Sequence, residues 1–342
     1  MQKSLPETGD IAACRALMRG GSRSFFAASL LLPRRVHEPA TALYAFCRLA
    51  DDAIDEGADC RQAALAALRA RLERAYAGQP APIAADRAFA RAVAAHDIPR
   101  ALPLALLEGF AWDSQGRRYE DIEALQDYAA RVAGTVGAMM AVLMGVRDPQ
   151  ALARATDLGI AMQLTNIARD VGEDARAGRL YLPLAWLRAE GIDPDAWLAA
   201  PEFGPPIARI VKKLLRAAAL LYTRAAGGIA YLPLACRPGI RAAGLIYAAI
   251  GEDAARRGYD TVSRRAHVSG YWKLALLARS LAALIPRGLP PPARPLRAAR
   301  YLVEATAVAQ APRLSPLDAM AERVVWLFDL FARLERQEIG AP

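Results

Sequence analysis

Gln163-Leu164-Thr165-Asn166-Ile167-Ala168-Arg169-Asp170-Val171-Gly172-Glu173-Asp174 is the stretch from which the rest of the chain is best read. As a helix it puts Asn166, Asp170 and Asp174 at i, i+4 and i+8, so three oxygen donors descend one face over ~12 Å. Gln163 sits one turn earlier and Arg169 flanks the row. A second stretch, Leu43-Tyr44-Ala45-Phe46-Cys47-Arg48-Leu49-Ala50-Asp51-Asp52-Ala53-Ile54-Asp55, sets Asp51 and Asp55 at i and i+4, with Arg48 one turn before them. Like charges at that spacing repel, so either solvent or a cation must offset the cost. Alone, the second stretch reads equally well as a solvated helix end; beside the first, it reads as one of two acidic ladders.

The surrounding sequence is helical in pattern. Ala64, Leu65, Leu68, Leu72 and Tyr76 recur at spacings of three and four, and alternating β-branched runs are nearly absent. Breaks fall at Leu32-Pro33, Gly78-Gln79-Pro80, Asp148-Pro149, Pro201 to Pro206, Arg237-Pro238-Gly239 and Gly288 to Pro295. Segments of roughly 20 residues or more lie between them, which suits a bundle of long helices. Val132 to Val146 is apolar but short of the ~20 residues a spanning helix needs, so it is expected to be one buried, tightly packed helix. No composition shift marks a boundary, and residues 1–342 are expected to form one all-α domain. Leu289 to Pro295 is the linker candidate, and an appended amphipathic helix is expected over 314–339.

Composition narrows the function. Hydrophobic residues make up 54% and charged residues 23%, which excludes a disordered chain. The net charge of +9 suits phosphate-bearing ligands, an anionic membrane surface or nucleic acid. The arginines are dispersed and no basic–aromatic motif appears, which argues against nucleic acid. Cys14, Cys47, Cys60 and Cys236 lack C-x-x-C spacing, so reduced thiols in a cytoplasmic protein are expected. The first ten residues have no apolar signal core. No Gly-rich dinucleotide fingerprint is present, so no NADPH step is expected.

Oxygen ladders of this kind suit Mg²⁺, a hard cation that takes one or two carboxylates and completes its shell with water and phosphate oxygens. Mn²⁺ could substitute. An apolar bundle cavity capped by such ladders reads as a site for a long apolar diphosphate.

At these residues the chain resembles the head-to-head trans-prenyltransferases, the squalene and phytoene synthases, whose hallmark is a pair of D-x-x-x-D motifs. Gly21-Ser22-Arg23-Ser24-Phe25 resembles the N-terminal element of that family, Tyr44 to Arg48 precedes the first motif, and Arg179-Leu180-Tyr181-Leu182-Pro183 follows the second. Arg131 to Gly137, Gln163 to Asp170 and Gly258 to Arg265 are similar to the versions in bacterial carotenoid-forming members. The resemblance, from about Gly20 to Arg265, implies the class I isoprenoid synthase helical bundle with a central apolar cavity. It implies head-to-head condensation of two geranylgeranyl diphosphates through prephytoene diphosphate to phytoene. The alternatives are a squalene-type coupling of farnesyl diphosphate and a non-catalytic binding or assembly protein that has kept the fold. By motif position, Asp51, Asp55, Asn166, Asp170 and Asp174 are the implied metal ligands. Gly21, Ser22, Arg23, Ser24, Tyr44, Arg48, Gln163, Arg169, Tyr247 and Arg264 are the implied substrate contacts. Asp51, Asp55, Asp170, Asp174, Arg48 and Tyr44 are the expected catalytic set. The product is nearly insoluble in water, so release at the inner membrane surface is expected, through a rim holding Arg287, Arg294, Arg297 and Arg300 with Leu289, Leu296, Tyr301 and Leu302.

Overall fold

A computed structural model describes residues 7–56, 61–285, 288–289 and 291–307. The expected helix over 314–339 therefore lies outside the described residues. The chain opens with α1 (Glu7–Gly21), α2 (Arg23–Ser29), α3 (Arg34–Glu56), α4 (Arg61–Tyr76), α5 (Ala84–His96) and α6 (Ala101–Ser114). Next come α7 (Ile122–Ala129), α8 (Thr135–Leu143), α9 (Pro149–Arg169), α10 (Val171–Arg176), α11 (Leu184–Ala189) and α12 (Pro194–Ala199). The last four are α13 (Pro205–Gly228), α14 (Arg237–Arg256), α15 (Gly270–Ser280) and α16 (Arg300–Thr306). No strand occurs among the described residues, in keeping with the all-α reading.

Each Pro- or Gly-bearing break read from the sequence falls at an element boundary. Asp148 is the clearest case: it caps α9 by accepting from the Gln150 and Ala151 N–H groups, with Pro149 in the first turn. Val132 to Val146 is helical as far as Leu143, but it is not a plain α-helix: a π turn at Ala130–Gly134 joins α7 to α8 without a break. Within it the Thr135 hydroxyl donates to the Arg131 carbonyl at 2.5 Å. Such wide turns change which face a helix presents and recur at functional sites.

Helix α9 is the spine, packed against α8, α13 and α14. Its approach to α8 is unusually close. A Cβ on Gly159 would overlap the Ala133 carbonyl, and one on Gly137 would overlap the Ala155 carbonyl. Leu152, Ile160, Ala161, Leu164 and Ala168 of α9 are wholly buried in the main core, with Met139 and Ala141 of α8 and Val211 and Leu214 of α13. The Pro-rich stretch expected as a linker is instead fitted to the bundle: Ala293 donates its N–H to Gln150 at 2.8 Å. Because the α8–α9 contact is backbone to backbone, no side chain can move aside. Gly159→Ala should destabilise the protein by roughly 1–3 kcal/mol, read as a lower urea midpoint. An unchanged midpoint would contradict this crossing geometry.

Candidate active site

Two connected cavities lie between α2, α3, α9 and α14. The outer has a volume of about 620 Å³ and includes Ser22, Tyr44, Arg48, Asp51, Gln163, Asn166, Arg169 and Tyr247 in its wall. The inner, about 260 Å³, shares Phe25, Tyr44, Gln163, Asn166 and Tyr247 with it and is otherwise lined mainly by Ala, Val, Leu, Ile, Met and Gly. Residues from both stretches singled out in the sequence thus meet at one polar mouth, with an apolar chamber behind it.

The first ladder lies on α3. Tyr44, Cys47, Arg48 and Asp51 share a face because they are spaced at three, four and seven residues. Arg48 pairs with Asp52 at 2.6 Å and with Asp51 at 3.7 Å. Asp52, which the helical spacing puts off the main face, is therefore the nearer partner of that arginine. Asp55 lies one turn further along α3, and its side chain is outside the described residues. Burial pushes the Tyr44 hydroxyl up to about 12, so it stays protonated and able to donate. Its ring stacks on Phe25 with centroids 5.4 Å apart. Gly21 passes so close that a Cβ there would overlap the Tyr44 hydroxyl. Ser22 caps α2 by accepting from the Phe25 N–H at 3.2 Å. Arg23 and Ser24 begin α2, with side chains outside the described residues.

The second ladder is not one straight helix. Helix α9 ends at Arg169, and Asp170 is the hinge before α10. The cause is local. Gly172 lies against the Val262 carbonyl, where a Cβ could not fit, and its N–H donates to the Thr261 carbonyl at 3.0 Å, leaving the helical ladder. The Asp170→Asn166 and Asp174→Asp170 backbone bonds survive at 2.9 and 2.8 Å, so the helical spacing of the three donors outlasts the break.

Charge is unevenly compensated along this row. Asp170 accepts two hydrogen bonds from Arg169, at 2.8 and 2.6 Å, and a third from Arg265 at 2.7 Å. Asp174 has less help: burial first, then the Asp170 charge, raise its carboxyl to about 7. Asn166 Oδ1 is buried with no hydrogen-bond partner. Among the described residues no three His, Cys, Asp or Glu side chains form a ready cluster for an ion. Tyr247 reaches both cavities from α14. Arg264 does not line either one: it is exposed, and its neighbour Arg265 faces the mouth instead. Residues 262–264 form a bend after α14, and it is Arg265, just past that bend, that lines the outer cavity.

The profile of the squalene/phytoene synthase family matches residues 18–272. The chain belongs to that family. It is 58% identical to a phytoene synthase of Rhodobacter capsulatus, over 79% of this chain and 80% of that one. It is 50% identical to a phytoene synthase of Cereibacter sphaeroides, over 97% of this chain and 95% of that one. A solved dehydrosqualene synthase is 29% identical and superposes with a TM-score of 0.72, covering 81% of this chain and 97% of that one. The fold is thus the helical isoprenoid synthase bundle expected from the sequence.

In this family member one feature of the wall has no counterpart in the sequence reading. Asp113, at the end of α6, lines the outer cavity and accepts from the Tyr181 and Tyr128 hydroxyls at 2.7 and 2.9 Å. The sequence offered little to mark it, since Ala101 to Trp112 is mostly apolar but already holds a second acid, Glu108; its tyrosine partners come from α7 and from the loop after α10. Burial, only partly offset by the two tyrosines, raises the Asp113 carboxyl from 3.8 to about 6. The folded protein therefore keeps this proton to higher pH than the unfolded chain, and stability falls as pH rises between those values. Asp113→Asn should flatten that part of the stability–pH curve. An unaltered slope between pH 4 and 6 would show that the carboxyl is not held this way.

Proposed function

We propose that this protein couples two geranylgeranyl diphosphates head to head, through prephytoene diphosphate, to phytoene. The observation that carries the reading is the junction of the two polar rows at the mouth of an apolar chamber, in a chain 58% identical to a phytoene synthase. One substrate loses diphosphate to give an allylic cation, and the C2=C3 double bond of the other captures it. That capture closes the cyclopropane with loss of one proton. Loss of the second diphosphate, rearrangement and loss of a second proton give the hydrocarbon, so two diphosphates and two protons leave and no reductant is consumed.

Each residue has a task in that sequence. Arg48, Arg169 and Arg265 offer charge-assisted hydrogen bonds to phosphate oxygens. A diphosphate that draws Arg169 and Arg265 to itself leaves the Asp170 carboxylate without partners, ready to accept a new cation. The donor set fits Mg²⁺: the unpartnered Asn166 Oδ1 and the raised Asp174 carboxyl mark a row short of positive charge. Asn166, Asp170 and Asp174 would hold it on one side, Asp51 and Asp55 on the other. The ion, or Mn²⁺ in its place, would neutralise charge on the departing diphosphate. Behind the mouth, the Ala, Val, Leu and Met wall keeps water from the cations.

Product release at an anionic lipid surface completes the proposal, but at a different place from the arginine rim expected from the sequence. Arg294, Arg297 and Arg300 are exposed, yet Leu302 is wholly buried and Leu296 and Tyr301 pack against the core. Arg297 also pairs with Asp127 at 3.5 Å, and Arg287 lies outside the described residues. Leu289 of that rim is exposed, and more exposed apolar surface lies on and just after α15, with Tyr271 92%, Leu274 66% and Ile285 61% exposed. Lys273 of the same helix lines the outer cavity. From Thr261 to Ile285 the sequence holds no Asp or Glu and four Lys or Arg, each worth roughly 1 kcal/mol where it nears an anionic bilayer. No described helix is long and apolar enough to cross a membrane.

Asp51→Asn and Asp170→Asn should each lower turnover of geranylgeranyl diphosphate by roughly 100-fold or more. The half-exposed Asp51 should be lost without effect on the melting temperature. Asp170→Asn should lower it, because two arginines lose their partner; near-normal turnover in either variant at saturating Mg²⁺ would refute the assignment. Vesicle co-sedimentation checks the lipid surface. Binding should favour anionic vesicles, weaken with salt and drop in Tyr271→Ser/Leu274→Ser; equal binding to neutral vesicles, or none to either, would defeat it.

A further inference from the structure

The inner cavity runs along α9 from Asn166 and Gln163 at the mouth, past Met162, Gly159, Leu158 and Ala155, to Arg154 and Ala151. Twelve residues separate Asn166 from Arg154, which is ~18 Å of helix. Arg154 is the one charged residue in that wall, and it is only 6% exposed. Its guanidinium is turned away from the chamber. Nε lies 3.1 Å from the carboxylate of Asp157, which is itself wholly buried, and Nη2 donates to the Arg294 carbonyl at 3.2 Å. Arg224 of α13 repeats the pattern, donating to Asp157 at 3.0 Å and to the same Arg294 carbonyl at 2.9 Å. With the Ala293 N–H held by Gln150, the backbone of Ala293 and Arg294 is strapped across the outside of the chamber's far end. Gly228 closes the last side: a Cβ there would overlap the Arg154 side chain.

We infer that the Arg154 stem, held in place by Asp157, Arg224 and the Ala293–Arg294 strap, is the end wall that limits the length of the prenyl tail. A long side chain whose stem lines an apolar space while its head is held outside is a stop, since moving it would separate the ion pair with Asp157 and break the Nη2 bond to the Arg294 carbonyl together. The mouth binds diphosphate whatever the tail, so the polar rows cannot measure length; only the far end can. This rests on the reading that a prenyl tail occupies the inner chamber.

The test compares farnesyl, geranylgeranyl and geranylfarnesyl diphosphates in competition with Mg²⁺ present, for the wild type, Arg154→Ala, Arg154→Met and Ala151→Leu. Turnover of geranylgeranyl diphosphate by the wild type tests the functional reading. The end wall is tested separately, by the kcat/KM ratio between the wild type's preferred diphosphate and the next one longer or shorter. Arg154→Ala should raise the longer-to-preferred ratio roughly tenfold or more, since even one methylene in an apolar pocket is worth about that. Ala151→Leu, which fills the same end, should shift the preference towards the shorter diphosphate. Arg154→Met keeps the stem and loses the head. A ratio near wild type in Arg154→Met beside a raised ratio in Arg154→Ala assigns the stop to the stem; a rise in Arg154→Met as large as that in Arg154→Ala would show that the stem is not the stop. An unchanged ratio in folded Arg154→Ala, or, where that variant fails to fold, an unchanged ratio in folded Ala151→Leu, would overturn the inference.

Discussion

The contact of bare backbone that α9 makes with α8 at Gly137 and with the π turn before it at Gly159 is the constraint on which the site depends. Helix α9 supplies one wall of both cavities along most of its length. Its rotation decides whether Asn166 and Gln163 face the mouth or the core. Interiors pack at crystal-like density, so a helix locked against its neighbour without intervening side chains has little freedom to turn. The π turn before α8 belongs to the same arrangement, since it delivers Val132 and Ala133 to the cavity wall while α8 keeps its own contact with α9.

The polar mouth obeys a second constraint, compensation of charge. Carboxylates gathered at the edge of an apolar chamber are costly unless paired. Arg48 serves Asp51 and Asp52, while Arg169 and Arg265 share Asp170. Asp174 and Asp113 have weaker compensation, and the cost appears as carboxyls raised towards neutrality. Arginines that guard the carboxylates in the absence of substrate are also the groups suited to diphosphate. Binding can therefore exchange one set of ion pairs for another without stranding a charge.

At the far end of α9 the same logic serves shape. The Arg154–Asp157–Arg224 cluster places ionic groups behind an apolar wall, where they secure chain that would otherwise be a loose Pro-rich connection. One helix thus carries polar recognition near its C-terminal end and a terminus for the apolar chamber near its N-terminal end.

The helical class and the breaks between helices were legible in the sequence, because periodicity and Pro/Gly placement act locally. The capping of α9 by Asp148 and Pro149 is such a case. The two rows of oxygen donors were legible for the same reason: an i, i+4 spacing survives any tertiary arrangement that keeps the helix. Tertiary packing decided what local spacing cannot encode. It ended α9 at Asp170 by pressing Gly172 against the Val262 carbonyl, and it faced Arg265 rather than Arg264 to the mouth. It also joined Asp113 to tyrosines at positions 128 and 181, and Arg154 to the backbone at positions 293 and 294. These partners are distant in the chain, and their meeting depends on how whole helices cross. The sequence by itself therefore determined the chemistry available to this protein, while only the tertiary structure decided which groups face the cavities and where the chamber ends.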